Sequence, residues 1–590
     1  MNFFLLAFLL LFSKNVFAQA DVSSDIKVTY RVGENDVTNV EYEVTLKNIF
    51  TDRYAKSYTL QLDGTSPQNI IVTEDGKPLE FTTDSYENTK RIMISFPIAV
   101  VGKDKARVFK INYQDKSFTQ KSGDVWDVSI PRLGTPDAFR SYDVFLQIPA
   151  SFGNPAYISP QPKEKSGSNY YFDKNIIANA GIHAAFGSFQ VYDLNLAYNL
   201  ENPVRSEASV KIALPPDTSY QKVYLKSIDP NPDQLHSDAD GNWIATYTLN
   251  PREQKTVKLN TNIQIFNSPI QKVQISNERL DKYLEPTEYW QAEDLQIKAL
   301  AQKYNTPEDI YNYIVRSFEY NHDRILPNAE RLGAARAINQ PENALCTEFT
   351  DAFIAIARAA GIPARELNGY AYSDNSSLQP LSLVTDVLHS WPEYWDENQQ
   401  TWIAVDPTWE NTTGGIDYFS TMDLKHIVFA IHGESDTLPY PAGSYKLGAY
   451  PEKNVEVKIG SLQPVADPKP ELEIKNVGGL SLISQTFDVI VTNPGPTAMY
   501  NLPLKVVAGG KVENFQVEAS LPFSKTTFSI NAPVGFLAAN LPDEIEAFSN
   551  TTVSRLKTHK SDIALYHSAS ILLVVLAVTG GVAITLWKRS

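Results

Sequence analysis

The 590-residue chain has a single cysteine, Cys346, and only four methionines. One cysteine excludes an internal disulfide, which an exported chain of this size could otherwise use. A leftover thiol of this kind is intermolecular, incidental or reactive. No run of Lys or Arg stands out and the formal net charge is −16, which argues against a nucleic-acid partner. There is no short tandem repeat, no phosphate-cradling glycine loop and no sorting sequence for covalent wall attachment. His426 and His432 stand six residues apart with no cysteine near them. Neither is therefore read as a zinc ligand, and no metal or cofactor is expected. What the chain does have is material to bury: 43% apolar residues, with 28 Phe and 30 Tyr. Disorder is excluded, and at this length so is a single core.

The two ends carry the long apolar runs. Residues Phe3 to Phe12 form a run too short to span a bilayer but suited to a signal-peptide core, with small residues Val16 and Ala18 after it. Residues 1–18 are expected to be a signal peptide cleaved after Ala18, although no Lys or Arg precedes the apolar run. Near the other end, Ser568 to Trp587 is uncharged and followed by Lys588 and Arg589. About twenty such residues cross ~30 Å of hydrocarbon as a helix, and Trp587 sits where an interfacial aromatic belongs. A single-pass protein is expected, with the bulk of the chain outside the cytoplasm and 568–587 as the transmembrane helix.

Between the ends, pattern changes mark the domains. Alternating apolar and polar residues broken by Gly, Pro, Asn and Asp clusters indicate strands in 19–187 and again in 188–272, read as two β-sandwiches. Near Lys282 the period lengthens. Ala292–Tyr304 and Glu308–Phe318 place apolar residues at helical spacing, with Thr306 and Pro307 as cap and first position. An α+β domain is expected over 280–435. The strand pattern returns over 450–549 as a third, Ig-like sandwich, followed by a polar stalk, 550–567.

The chemistry concentrates in the helical domain. After Cys346, residues Phe349, Phe353, Ile356, Ala357 and Ala360 form an apolar stripe, and Gly361 with Pro363 ends the helix. Cys346 thus lies in a first turn, where unpaired N–H groups and the helix dipole favour a thiolate and can donate to an oxyanion. Further on, Leu388–Trp395 and Gln400–Thr408 read as aromatic-rich strands around a polar turn at Asp396–Gln399. If that turn is a four-residue loop, Trp395 pairs with Gln400 and His389 falls opposite Asp406. Cross-strand partners are close enough for imidazole and carboxylate to hydrogen-bond. Asp406 would then fix the tautomer of His389 and leave its other nitrogen for a thiol.

This block resembles the transglutaminase-like superfamily of thiol enzymes, which share a papain-like α+β core. The motifs that carry the resemblance are Cys346 opening a helix, Gly361-Ile362-Pro363-Ala364-Arg365, Gly369-Tyr370, His389-Ser390-Trp391-Pro392-Glu393-Tyr394, and Trp402-Ile403-Ala404-Val405-Asp406-Pro407-Thr408. They cover roughly residues 290–430. The resemblance implies Cys346 as nucleophile, His389 as general acid/base and Asp406 as orienting carboxylate. It departs at Leu345, where members often have Gly, and the side-chain member of the oxyanion hole is not identified.

The implied reaction is attack of the Cys346 thiolate on an amide carbonyl of a peptide or protein, cell-envelope substrates included, giving a thioester that passes to an amine or water. The alternative is a cell-surface binding or structural protein whose core has retired from catalysis. A thiol N-acyltransferase with a small acyl donor lacks a supporting motif. Asp238-Ala239-Asp240-Gly241-Asn242 is read as an Asp-Gly hairpin turn in preference to a calcium loop. Asn375, Asn411 and Asn550 stand in N-x-Ser/Thr triplets of the kind that occur by chance.

Overall fold

The computed structural model describes residues 21–587, apart from 87–88, 180, 271–274, 327–328, 373–387, 414, 447–452, 463–467 and 479–482. The expected signal peptide, 1–18, lies outside the described residues. The chain divides into two compact units, one ending at Gly187 and one beginning at Ser188.

The first unit is nearly all β. Burial alternates residue by residue along Thr38–Asn48, as one buried sheet face requires. This strand lies between Val22–Val32 and Ala106–Asp115 in an eight-stranded sheet. Val22–Val32 also pairs in parallel with Ser141–Gln147. Val28, Val44, Phe109, Ile111 and Leu146 fill the core beneath it.

The second unit begins with two more sheets. Phe189–Glu201 and Gln254–Phe266 run antiparallel over their full lengths, and Tyr198 Oη donates to the Ala213 carbonyl of the opposing three-stranded sheet at 3.0 Å. The sequence places Val455 at the start of the last sandwich, but Val455–Ile459 pairs instead with Tyr192–Leu196 and covers the edge of this earlier sheet. A five-residue alternating segment fits many sheet edges, and its own pattern does not say which.

The α+β domain follows. Thr401–Ala404, His389–Asp396, Ala364–Ala371 and His426–His432 form an antiparallel sheet in that order. The helix Cys346–Ala359 packs on it and is buried almost all round, as an apolar helix at the centre of a domain should be. Phe349, Phe353, Ile356 and Ala357 join Ile297, Ile310 and Ile314 of the preceding helices in one core. The three charges on this helix that are buried are each committed. Glu348 meets Arg324, Asp351 meets Arg331, and Arg358 donates to the carbonyls of Ala364, Glu285 and Gly433. Arg331 also reaches Glu366 at 3.1 Å and so clamps the helix to the strand beside it.

The last sandwich uses the strands Glu471–Asn476, Ser484–Thr492 and Lys525–Pro533 in one sheet and Lys511–Ser520, Met499–Ala508, Glu544–Ser549 and Thr552–Lys557 in the other. The expected stalk therefore begins as an edge strand: Thr552–Lys557 pairs with Glu544–Ser549 around an exposed turn at Asn550. Its polar residues suit an edge strand as well as they suit a stalk. The helix Lys560–Trp587 then buries Ile563 in the sandwich core, while Ile571, Leu572, Leu573 and Val574 stand exposed. By length and composition Lys560–Ile584 can cross a membrane.

Removing one partner of a buried ion pair strands the other charge at a cost of about 3–5 kcal/mol. Arg331→Leu leaves both Asp351 and Glu366, fully buried, without their shared cation. We expect it to lower the stability of the α+β domain by about that amount in urea unfolding followed by tryptophan fluorescence, since five of the eight tryptophans lie there. A loss below about 1 kcal/mol, the range of surface pairs, would contradict the clamp.

Candidate active site

Cys346 is the first residue of its helix, and Leu345 before it is extended, with φ −107° and ψ 179°. Leucine has no side-chain acceptor, so only half of a capping box exists here: the Glu348 carboxylate accepts from the Leu345 backbone N–H at 2.9 Å. The same carboxylate accepts from the Leu332 N–H at 2.9 Å. At the next turn Asp351 accepts from Trp290 Nε1 at 2.8 Å. The helix start is thus fixed from the side, and no side chain caps the first-turn N–H groups.

His389 opens its strand opposite Gly369. A Cβ at Gly369 would lie 2.0 Å from the Ile427 carbonyl oxygen, where the pairing with the His426–His432 strand shifts register. Glycine is required by that close approach. The His389 ring stacks between Trp391 and Trp409, with centroids at 5.6 and 5.2 Å.

His389 and Asp406 meet, but not by the expected ladder. The loop is Glu397–Gln400, with Gln400 at φ +54°, and Trp395 pairs with Trp402. The register differs from the expected one by two residues, which preserves the face each side chain points to. The strand ends at Ala404, and Asp406 stands at the mouth of the helix Pro407–Thr413. Its Oδ1 accepts from the backbone N–H groups of Thr408 and Trp409 at 2.9 and 3.1 Å, and its Oδ2 accepts from His389 Nε2 at 2.9 Å. A helix cap, not a cross-strand pair, aims the carboxylate.

A second imidazole reaches the same oxygen. His426 Nε2 lies 3.2 Å from Asp406 Oδ2, and its Nδ1 lies 2.7 Å from Asp423 Oδ1. With a carboxylate at each nitrogen, the ring donates from both and is an imidazolium. Burial opposes that charge, yet Asp423 and Asp406 lift the His426 pKa to about 9. Sequence reasoning set His426 aside because it sought cysteine partners. The available signal was a histidine opening a strand, His426–His432, that is buried at every position, where an imidazole needs partners.

Cys346, His389 and Asp406 are all fully buried. Burial alone pulls the His389 pKa down, but the Asp406 charge and hydrogen bond, with a smaller contribution from Cys346, raise it to about 9. Burial likewise pushes Asp406 up, and His389 and His426 outweigh it to hold the carboxyl well below its usual range. His389 Nδ1 has no nitrogen or oxygen partner and no sulfur contact short enough to count as a hydrogen bond. Cys346 is near enough to influence the ring, so Nδ1 is the nitrogen free to exchange a proton with the thiol. Among the described residues, one set of side chains could hold a metal ion: donor atoms of His389, Asp406 and His426 lie within 4.8 Å of one another. In this structure hydrogen bonds join them, and an ion there would displace the His389–Asp406 contact.

The other candidates are structural. Asp238 accepts from the Asn242 backbone and side chain, and Asp240 accepts from the Gly433 and Glu434 N–H groups. Gly241 takes φ +96° in the turn between paired Ser237 and Trp243. His432 bridges Glu366 and the Pro439 carbonyl. Asn411 donates to the carbonyls of Val315 and Phe318, and Asn375 lies outside the described residues.

Residues 293–407 match the transglutaminase-like superfamily, so this part of the chain is a transglutaminase-like domain. The stretch includes Cys346, His389 and Asp406 and stops before Asp423 and His426. A protein-glutamine gamma-glutamyltransferase of Pseudomonas aeruginosa is 38% identical over 66 residues, 11% of this chain and 10% of that protein. The chain thus spans about a tenth of the length of this curated relative. Among solved structures, one described as a candidate cysteine protease from Cytophaga hutchinsonii overlaps 48% of this chain and 94% of its own, at 16% identity and a TM-score of 0.32. An M1 zinc metallopeptidase from Deinococcus radiodurans overlaps 31% of this chain and 44% of its own, at 12% identity and a TM-score of 0.19.

The raised histidines make stability depend on pH. The folded chain keeps protons on His389 and His426 to about pH 9, whereas an unfolded chain releases them near pH 6.5. Their stabilisation is fully present below about pH 6.5 and is lost as pH rises through about 9. The urea midpoint of the tryptophan-rich domain should therefore fall between pH 6 and pH 9, and Asp406→Asn should flatten the fall. An unchanged pH dependence in that variant would show that Asp406 does not hold the protons.

Proposed function

We propose that this protein is a membrane-anchored, extracytoplasmic thiol enzyme that attacks amide bonds of peptides or proteins through a thioester on Cys346. The observation that carries this reading is the His389 imidazole: Nε2 is tied to Asp406 at 2.9 Å, while Nδ1 is unpartnered and Cys346 is close enough to perturb the ring. In this reading the proton of Cys346 already rests on His389 as a thiolate–imidazolium pair, and the sulfur adds to the carbonyl carbon. The imidazolium, supported by Asp406, returns the proton to the leaving amine as the carbon–nitrogen bond breaks. An incoming amine or water then adds to the thioester carbonyl, gives its proton to His389, and releases the sulfur. The relative's name, a glutamyltransferase, favours an amine as acceptor, and water is the alternative.

The apolar helix near the C-terminus supports anchoring, and the leader-like run at residues 3–12 supports export. Flanking β domains suit a peptide or protein substrate, including one in the cell envelope, better than a small molecule.

One observation favours a second reading, a binding protein with a retired core. None of Cys346, His389 and Asp406 is exposed, so a substrate reaches the sulfur only after covering groups move. The two readings separate in one assay. The purified ectodomain is incubated with glutamine-containing peptides and a labelled primary amine, and products are weighed by mass spectrometry. The enzyme reading expects amine-linked, deamidated or cleaved peptides that vanish with Cys346→Ala, with turnover falling as pH rises through about 9, where His389 loses its proton. Unaltered peptides together with an unreactive Cys346 would favour the binding protein.

A further inference from the structure

Addition of the Cys346 sulfur to a carbonyl pushes the π electrons onto oxygen, and that oxyanion needs donors placed in advance. The backbone can supply part of the set. Leu345, with no acceptor of its own, leaves the first-turn N–H groups uncapped by any side chain. The second donor is not on this helix.

Tyr320 stands in the right place. It forms a parallel bridge with Ala344, two residues before the cysteine. Glu319 N–H donates to the Pro341 carbonyl at 2.9 Å, and Asn321 N–H donates to the Ala344 carbonyl at 2.8 Å. Residues 319–321 therefore run alongside the approach to Cys346. The Tyr320 ring rests near Phe349, centroids 6.5 Å apart, and against His322 at 4.9 Å. Phe349 is three residues after Cys346 and so on the same helix face. The bridge to Ala344 and the ring contact with Phe349 hold the phenol near the first turn of the Cys346 helix.

The hydroxyl at the end of that ring is buried and has no hydrogen-bond partner. Buried hydroxyls are normally paired, and an unpaired one asks for a reason. Burial first, then the charges of Cys346, Glu348 and Asp406, push its pKa well up, so it remains an O–H donor at any working pH.

We infer that the Tyr320 hydroxyl is the side-chain donor of the oxyanion hole, hydrogen-bonding to the oxygen that becomes negative when the Cys346 sulfur adds to a substrate carbonyl. The phenol keeps its proton throughout. The oxyanion collapses back to a carbonyl as the leaving group departs with the proton from His389. This inference rests on the thiol-enzyme reading above.

The test compares wild type, Tyr320→Phe and Cys346→Ala in the full-length protein with two small probes. Iodoacetamide alkylates the sulfur by displacement at a saturated carbon and forms no oxyanion, whereas 4-nitrophenyl acetate acylates it through one. Tyr320→Phe is expected to slow 4-nitrophenolate release about 10²–10³-fold while alkylation of Cys346 stays within about 2-fold. The unchanged alkylation also shows that the variant is folded. Equal acylation rates in wild type and Tyr320→Phe, or a parallel fall in both reactions, would overturn the assignment. If wild type releases 4-nitrophenolate no faster than Cys346→Ala, the thiol-enzyme reading itself fails and the assignment falls with it.

Discussion

The buried carboxylate of Asp406 is the interaction on which the rest of this site depends. It accepts from two backbone N–H groups at a helix start and from two imidazoles, one opening the strand His389–Asp396 and one opening the strand His426–His432. A carboxylate in a fully buried position is tolerable only with such a set of donors. In return it keeps His389 charged despite burial and occupies Nε2, which leaves Nδ1 unpartnered. The Asp423–His426 pair behind it extends the arrangement to alternating charges: carboxylate, imidazolium, carboxylate, imidazolium. Each member is costly to bury alone, and the chain of contacts offsets that cost.

The cysteine helix is held by the same logic. An apolar helix could slide or rotate in a greasy core, and a shift of an ångström would change the placement of the sulfur relative to the imidazole. Glu348, Asp351 and Arg358 prevent this because each buried charge has one place where it is satisfied. Glu348 fixes the first turn, Asp351 and Arg331 tie the middle to the adjoining strand through Glu366, and Arg358 anchors the end to three carbonyls. Burial pushes Asp351 and Glu366 up alike. Arg331 and His432 overcome this at Glu366, held down to about 2, but not at Asp351, which lies at about 7. Charges in this domain therefore specify position more than they add stability.

Much of this was legible in the sequence wherever the determinant is local. Alternation in Thr38–Asn48, the capping Thr306 with Pro307 at the first helical position, and Cys346 at a helix mouth all depend on residues within a turn or two. The pairing of His389 with Asp406 was reachable for a subtler reason. The hairpin register was two residues off, but a two-residue slip preserves the face, and the helix after Val405 brings the carboxylate back. Long-range contacts were not legible. Nothing near His426 announces Asp406, twenty residues earlier, and nothing in Val455–Ile459 says that its neighbour is Tyr192–Leu196. Thr552–Lys557 looked like a stalk because an edge strand exposes the same polar residues.

Tyr320 belongs to a third category, a residue whose importance appears only as an unsatisfied group. Composition and periodicity cannot flag it, and the backbone bridge to Ala344 is a single isolated contact. The positions that local rules leave unexplained are those where chemistry is expected. His389 Nδ1 and the Tyr320 hydroxyl are both of this kind, and Cys346 acts electrostatically on both groups.

Asp406 holds the buried His389 imidazole in its charged form. The most direct test of this is a pH titration of 15N-histidine-labelled protein by NMR, with the His389 signal assigned as the one missing from His389→Gln. This ring is expected to titrate at about 9 and to drop toward about 6.5, the value of an unperturbed histidine, in Asp406→Asn. A His389 ring that titrates at or below its ordinary value in the wild-type protein would contradict it.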